Sequence, residues 1–274
     1  IHLCINGING INRMNNTKQI LINDIINISL QAGVLVLENG GETYRAEETC
    51  TKIAKSLGAH DASCFVTPTV IIITITAKNH KIITATKRIK NINVNLQKIS
   101  QINKLALKLE SQGTNINILQ IGKELEQIKN APNHKKFMLI LMAGLSAFFF
   151  SFMFGGSVKE SITAFFIGMI LRIELIILNR FNLNSFILSI INGAIISILC
   201  ALVILLGLVP ATITVMTAVL MQVVPGMAIV NAIRDLIAGD LIAGTARVMD
   251  AFMIAAGLSV GSVCGVYLIS HVLA

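Results

Sequence analysis

The stretch FMLILMAGLSAFFFSFMFGGSV, Phe137–Val158, holds 22 residues without a formal charge between Lys136 and Lys159. At a rise of about 1.5 Å per residue, a helix of this length crosses a hydrocarbon core of about 30 Å. The chain is therefore read as one that spans a bilayer, and the pattern recurs downstream. Ser161–Asn179 is apolar but carries Arg172 and Glu174 in its second half. Phe181–Ile233 runs 53 residues without a charge, too long for one crossing, and Gly207–Pro210 offers a break. Ala251–Ser270 is again uncharged. This reading predicts a bundle of about five transmembrane helices, at roughly 137–158, 161–179, 183–206, 211–230 and 247–270.

The rest of the chain has another character. Only 13% of the 274 residues are charged, against about a quarter in soluble domains. The part before Phe137 holds 17 of the 22 Lys and Arg but 9 of the 14 Asp and Glu, so the whole net charge of +8 lies there. Such asymmetry predicts two environments: a leader over 1–17, a soluble mixed α/β domain over 18–136, and a transmembrane domain over 137–274. Basic residues favour the cytosolic side. That places the N-terminal domain in the cytosol of a cell bounded by this inner, cytoplasmic membrane. Arg180, Arg234 and Arg247 then fall on the same side, and Lys159 outside. Ile1–Asn16 lacks the basic start and long apolar core of a signal peptide, and Met14 is a candidate start residue.

Within 18–136, Lys18–Leu37 and Glu42–Leu57 have helical apolar spacing. Cys64–Thr67, Thr69–Ala77 and Lys81–Lys87 read as strands. Asn95–Gln112 and Asn115–Lys129 read as two further helices, with Gly113 between them.

Three constellations stand out. Gly40-Gly41-Glu42-Thr43-Tyr44-Arg45-Ala46-Glu47-Glu48 joins two helices. Gly40 suits a left-handed helix cap, and the acidic residues are expected in the first turn of the next helix. Glu42, Arg45 and Glu48 are spaced for an ion-pair ladder; a docking or gating surface is the functional alternative. Phe65-Val66-Thr67-Pro68-Thr69 reads as a turn or an edge bulge whose hydroxyls could meet a ligand. The third runs through Pro225, Gly226, Asn231, Arg234, Asp235, Gly239, Asp240, Gly244, Arg247 and Asp250. Pro-Gly late in a membrane helix breaks it, and a broken helix is tolerated where it lines a cavity or is buried in protein. Asn231, Arg234 and Asp235 share one helical face, and Arg247 and Asp250, three apart, share another. Ionisable groups at a membrane edge pair with one another or line a polar path.

Gly257, Gly261 and Gly265 form a doubled GxxxG ridge. It suits either packing within the bundle or an interface with another chain, a homo-oligomer included. Gly257-Leu258-Ser259-Val260-Gly261 matches the G-x-S-x-G pattern of hydrolases, but in the middle of a span it lacks the strand–turn–helix setting that motif needs. No Walker A, GxGxxG or HExxH occurs. Five scattered cysteines give no CxxC, so neither a disulfide framework nor a metal site is expected, and no cofactor. The basic residues are dispersed, which speaks for solvent or lipid rather than nucleic acid. An enzyme is not expected.

Gly40–Glu48, Phe65–Thr69 and Pro225–Leu241 together, in order and spacing, resemble the threonine/serine exporter family. The resemblance covers Lys18 to the C-terminus. It implies a secondary transporter exporting small hydroxylated amino acids, driven by the proton gradient. Fused members carry a second, smaller membrane unit, so the resemblance implies a separately encoded small membrane subunit as partner and leaves room for another small organic acid as substrate. It marks Pro225, Gly226, Asn231, Arg234, Asp235, Asp240 and Arg247 as a substrate or proton pathway, to which Asp250 is added. Asp235 or Asp240 would take a proton, Arg234 or Arg247 would hold a substrate carboxylate, and Asn231 would meet an ammonium or hydroxyl. Gly41, Glu42, Thr43, Tyr44, Arg45, Glu48, Thr67, Pro68 and Thr69 would serve gating or assembly. The competing reading is a non-transporting membrane scaffold or sensor whose soluble domain binds a ligand or partner.

Overall fold

The computed structural model describes residues 22–78, 80–90, 92–112, 118–132, 135–181, 183–209 and 213–273. The expected leader, 1–17, lies outside them. The chain forms two compact units, Ile1–Ala131 with Val230–Arg247, and Pro132–Ile229 with Val248–Ala274.

In the first unit, helix α1 (22–38) leads into α2 (Thr43–Ser56). Ile22, Ile25, Ile26, Leu30, Val34 and Leu37 of α1 are all buried, so it is the central helix of this unit. A three-stranded antiparallel sheet follows, β1 (Asp61–Thr67), β2 (Val70–Thr76) and β3 (Ile82–Arg88), in the order β1-β2-β3. The strand period of two sends Ile71, Ile73 and Ile75 of VIIITIT inward, all fully buried. The register continues these rows: Ala62 opposite Ile75, Cys64 opposite Ile73 and Val66 opposite Ile71 on one side, Ile83 and Ala85 on the other. Each buried isoleucine contributes about 1.5–3 kcal/mol relative to exposure. Helices α3 (Leu96–Gln112) and α4 (Ile118–Asn130) close the core through Ile102, Leu105, Leu109, Ile121 and Leu125.

In the second unit lie α5 (Lys136–Met153), α6 (Val158–Leu178) with a 3-10 turn at Asn179–Phe181, α7 (Ser185–Leu205) and α8 (Ile213–Leu220). Two helices, α9 (Gly226–Ile237) and α10 (Leu241–Leu273), run from one unit's residues into the other's. A capping box starts α6: Ser157 accepts from the Glu160 amide, and the Glu160 carboxylate accepts from the Ser157 amide. Among the described residues, four helices are long and apolar enough to cross a membrane: Lys136–Met153, Val158–Phe181, Ser185–Leu205 and Leu241–His271. Their large side chains, such as Phe149, Phe152, Phe166, Ile170 and Phe252, point outward. Small residues fill the interior instead, with Ala147, Ala164 and Ala218 fully buried beside Leu171, Ile196 and Val215.

Five spans were expected and the fourth, at 211–230, is not a continuous helix. α8 has eight residues, about 12 Å, and is followed by turns over 221–224. Pro225 lacks an amide hydrogen and disfavours helix before it. Gln222 turns its amide nitrogen to the Ala143 carbonyl at 3.1 Å. Val215, Ala218 and Val219 bury α8 among its neighbours. The last helix starts at Leu241, not 247, and runs unbroken. On it, Gly257, Gly261 and Gly265 approach the carbonyls of Phe186, Ile190 and Ala194 on α7, and Gly193 of α7 approaches Leu258. The glycine ridge thus packs within the chain. Ser259 lies in this helix, with its hydroxyl on the Ala255 carbonyl, so the strand–turn–helix setting of a hydrolase nucleophile is not present there.

Candidate functional site

The site is built from two helical corners of the first unit. At the first, α1 ends at Gly40, which has φ +86°. Its amide meets the Leu37 carbonyl at 3.0 Å, and the Gly41 amide meets Val36 at 2.9 Å, which satisfies the last carbonyls of α1. A side chain on Gly41 would run into Val36. Glu42 is then the N-cap of α2 and makes no cap with its own side chain. The acidic residues expected in the first turn are not there: Glu42 precedes it and Glu47 and Glu48 follow it.

The second corner repeats the device. α9 ends at Gly239, φ +92°, and the Asp240 amide meets the Asp235 carbonyl at 2.9 Å. Gly244, one turn into α10, packs on Leu236 and the Ala232 carbonyl, which sets the two arms close together.

The corners dock. Asn231 donates through Nδ2 to the Gly40 carbonyl at 2.9 Å, and Arg247 donates through Nη2 to the Gly41 carbonyl at 3.0 Å. Asp235, fully buried, accepts from the Thr43 hydroxyl at 2.8 Å and lies 3.4 Å from its amide. A carboxylate there caps the positive end of α2. Arg247 Nε sits 2.9 Å from Asp235 Oδ2. Neither of these two atoms makes a hydrogen bond, so the contact is Coulombic. The Thr43 hydroxyl is also 3.1 Å from Asp240 Oδ2; its single proton serves one carboxylate at a time. At the rim, Arg234 pairs with Glu42, which also pairs with Arg45 at 3.1 Å.

The structure thus brings Gly41, Glu42, Thr43, Arg45, Asn231, Arg234, Asp235, Asp240 and Arg247 into one cluster. Other predicted residues lie elsewhere. The Glu42–Arg45–Glu48 ladder stops at Arg45, because Glu48 pairs with Lys52 at 2.9 Å. Tyr44, Arg45 and Glu48 border a groove of about 320 Å³ against Asn103 and Leu107 of α3. Thr67, Pro68 and Thr69 make the β1–β2 turn, where the Thr67 hydroxyl accepts from the Val70 amide at 3.2 Å. Thr67 also borders a cleft of about 300 Å³ with Phe65, Gly239 and Asp240. Pro225 and Gly226 fall in the second unit. Asp250 is exposed on α10, and Arg247 pairs with Asp235 rather than with it.

Sequence reasoning passed over Glu47, although it stands in the quoted motif one helical turn after Thr43. Its Oε1 accepts from the Val66 amide at 3.0 Å. Burial pushes its carboxyl above the usual range, the Asp240 charge adds to this, and the Val66 hydrogen bond opposes it. Among the described residues no three His, Cys, Asp or Glu side chains converge to hold a metal ion.

The family model described as "Putative threonine/serine exporter" matches residues 27–269. A "Probable succinate transporter subunit YjjP" of Klebsiella aerogenes is 22% identical over 240 residues, which is 87% of this chain and 92% of the relative. The protein of that name from Escherichia coli K12 is 22% identical over 248 residues, again 87% of this chain and 92% of the relative. No solved structure matches the chain.

Proposed function

Because the chain belongs to the threonine/serine exporter family, we propose that it is the larger membrane subunit of a secondary transporter for small carboxylate-bearing solutes. What supports this most is the match to proteins named as transporter subunits along 92% of their length, in a chain with four membrane-length helices. A protein named as a subunit works with another, so the transporter is completed by a separate small membrane protein. Threonine, serine and succinate share a carboxylate, and that is the recognised chemistry. Export runs outward across the cytoplasmic membrane, with the first unit on the cytosolic side and the proton gradient as drive.

In this reading the docked corners act as a lock. Arg247 is held by Asp235 and by the Gly41 carbonyl. A substrate carboxylate has the same charge and shape as the Asp235 side chain and competes with it for the guanidinium. Occupancy would loosen the hold of Asp235 on Thr43 and free the corners to shift. The test is efflux of preloaded labelled threonine, serine and succinate from cells lacking their own exporters. The chain is expressed alone and then with a candidate small membrane protein of the kind proposed as its partner. Efflux of one of them only with the partner, lost in Arg247→Gln, is the expected result. No efflux of any of the three, with both proteins in the membrane, rejects the reading.

A further inference from the structure

Helix α6 enters the core of the second unit through Ala164, Ile167, Gly168 and Leu171. Steps of three and four residues continue that stripe to Glu174 and Leu175, and Leu175 packs against the same core. Glu174 therefore faces the interior of the bundle. Both of its carboxylate oxygens are enclosed, and neither has a hydrogen-bond partner. Arg172 is two residues away and so on another face of the helix. The elements packed on α6 are α5, α7, α8 and the 3-10 turn. Their charged or titratable side chains are Lys135 and Lys136 at the start of α5, Arg180 in the turn and the Cys200 thiol on α7.

A second group has the same deficit. Asn192 lies on the stripe by which α7 enters this core, with Ile196 and Cys200, and its Oδ1 is buried without a partner. Glu174 is four residues from the end of α6 and Asn192 seven from the start of α7, depths of about 6 and about 10 Å. Both residues therefore lie in the halves of α6 and α7 nearest the 3-10 turn between them. Their unpaired oxygens are acceptors. An unpaired carboxylate at such a place is strongly unfavourable, and ionisable groups inside membrane bundles mark ion paths. Asp235, by contrast, has Thr43 and Arg247.

We propose that Glu174 binds one monovalent positive charge, a proton or an alkali cation, which it takes up and releases in each transport cycle. This rests on the transporter reading above, and it places the coupling ion at Glu174 rather than at Asp235 or Asp240. Asn192 Oδ1 would supply a second oxygen for an alkali cation or for a proton's hydrogen bond.

The test uses the full chain with its partner subunit, purified and reconstituted in vesicles. Infrared difference spectra of wild type and Glu174→Gln are recorded while pH is varied and, separately, while sodium or potassium is added. A carboxyl band that changes in wild type and is missing in the variant is expected. The perturbant that produces it identifies the ion. Absence of any such difference overturns the proposal, whether or not the protein transports. In the same vesicles, Glu174→Gln is expected to lose gradient-driven accumulation by about tenfold or more while keeping substrate exchange. Accumulation equal to wild type overturns the proposal. Wild type that neither accumulates nor exchanges sinks the transporter reading and leaves the infrared result to decide Glu174.

Discussion

The Thr43 hydroxyl lies 2.8 Å from Asp235 across 192 positions of sequence. The first turn of α2 is therefore capped by a residue of α9, while its own N-cap, Glu42, caps nothing. Thr43→Val keeps the shape and removes the donor, leaving a buried carboxylate oxygen with only an amide at 3.4 Å. Such an orphaned acceptor costs about 1–3 kcal/mol. Thr43→Ser retains the hydroxyl and should lose much less. Thermal unfolding of the purified chain in detergent, followed by circular dichroism, separates the two. Equal melting of the valine and serine variants would show that the hydroxyl contributes nothing.

Asp235 and Arg247 neutralise each other where neither reaches solvent freely. Removing one partner strands the other, a change of about 3–5 kcal/mol. Asp235→Asn and Arg247→Met should each destabilise strongly, and the double variant should be clearly better than the sum of the two. A double-mutant cycle measures that coupling. Arg234 makes a useful contrast, since its side chain is 52% exposed where it meets Glu42. Arg234→Ala should lose about 1 kcal/mol or less. A cycle with no coupling between Asp235 and Arg247 would mean that the pair adds nothing to the docked corners.

Much of the secondary structure was legible because it follows from local rules. The uncharged run at Phe137–Val158 predicted α5, and the β-branched run Thr69–Ala77 predicted β2. The fourth span misled because hydropathy does not register what breaks a helix: Gln222 and Pro225 sit in a run as apolar as its neighbours. The partner of Arg247 was not legible for a related reason. Asp250 is three residues away, an ordinary helical pairing, whereas Asp235 becomes a neighbour only through the turn at Gly239. The motifs around Gly41 and Asn231 could each be marked, but their docking joins residues 191 to 206 positions apart. No periodicity encodes such a contact.

The glycines of α10 divide into those that need to be glycine and those elsewhere that do not. At Gly261 a Cβ would strike the Ile190 backbone on α7, and backbone cannot give way as a side-chain end can. Gly261→Val should force α7 and α10 apart and sharply lower the yield of folded protein in the membrane. At Gly226 nothing lies within 4 Å of the same position. Gly226→Ala should be neutral, or more stable by about 0.4–1 kcal/mol through the lower entropy of the unfolded chain. Size-exclusion profiles and melting temperatures in detergent decide both. Loss of fold on Gly226→Ala would show a contact at the start of α9 beyond those of this structure.

Glu47 gives the pH dependence a sign. Its carboxyl titrates above the usual range, chiefly through burial, with the negative charge of Asp240 adding to it. The folded form therefore holds this proton more tightly than the unfolded form does. The stability it contributes is fully present below the unfolded pKa and is lost as pH rises through the folded one. Glu47→Gln cannot ionise and still offers an oxygen to the Val66 amide. The melting temperature of the variant minus that of wild type should therefore rise with pH across the carboxylate range and then level off. Asp240→Asn removes one of the two causes and should reduce that rise in part. A difference that stays flat with pH would mean that Glu47 ionises as freely in the folded chain as in the unfolded one.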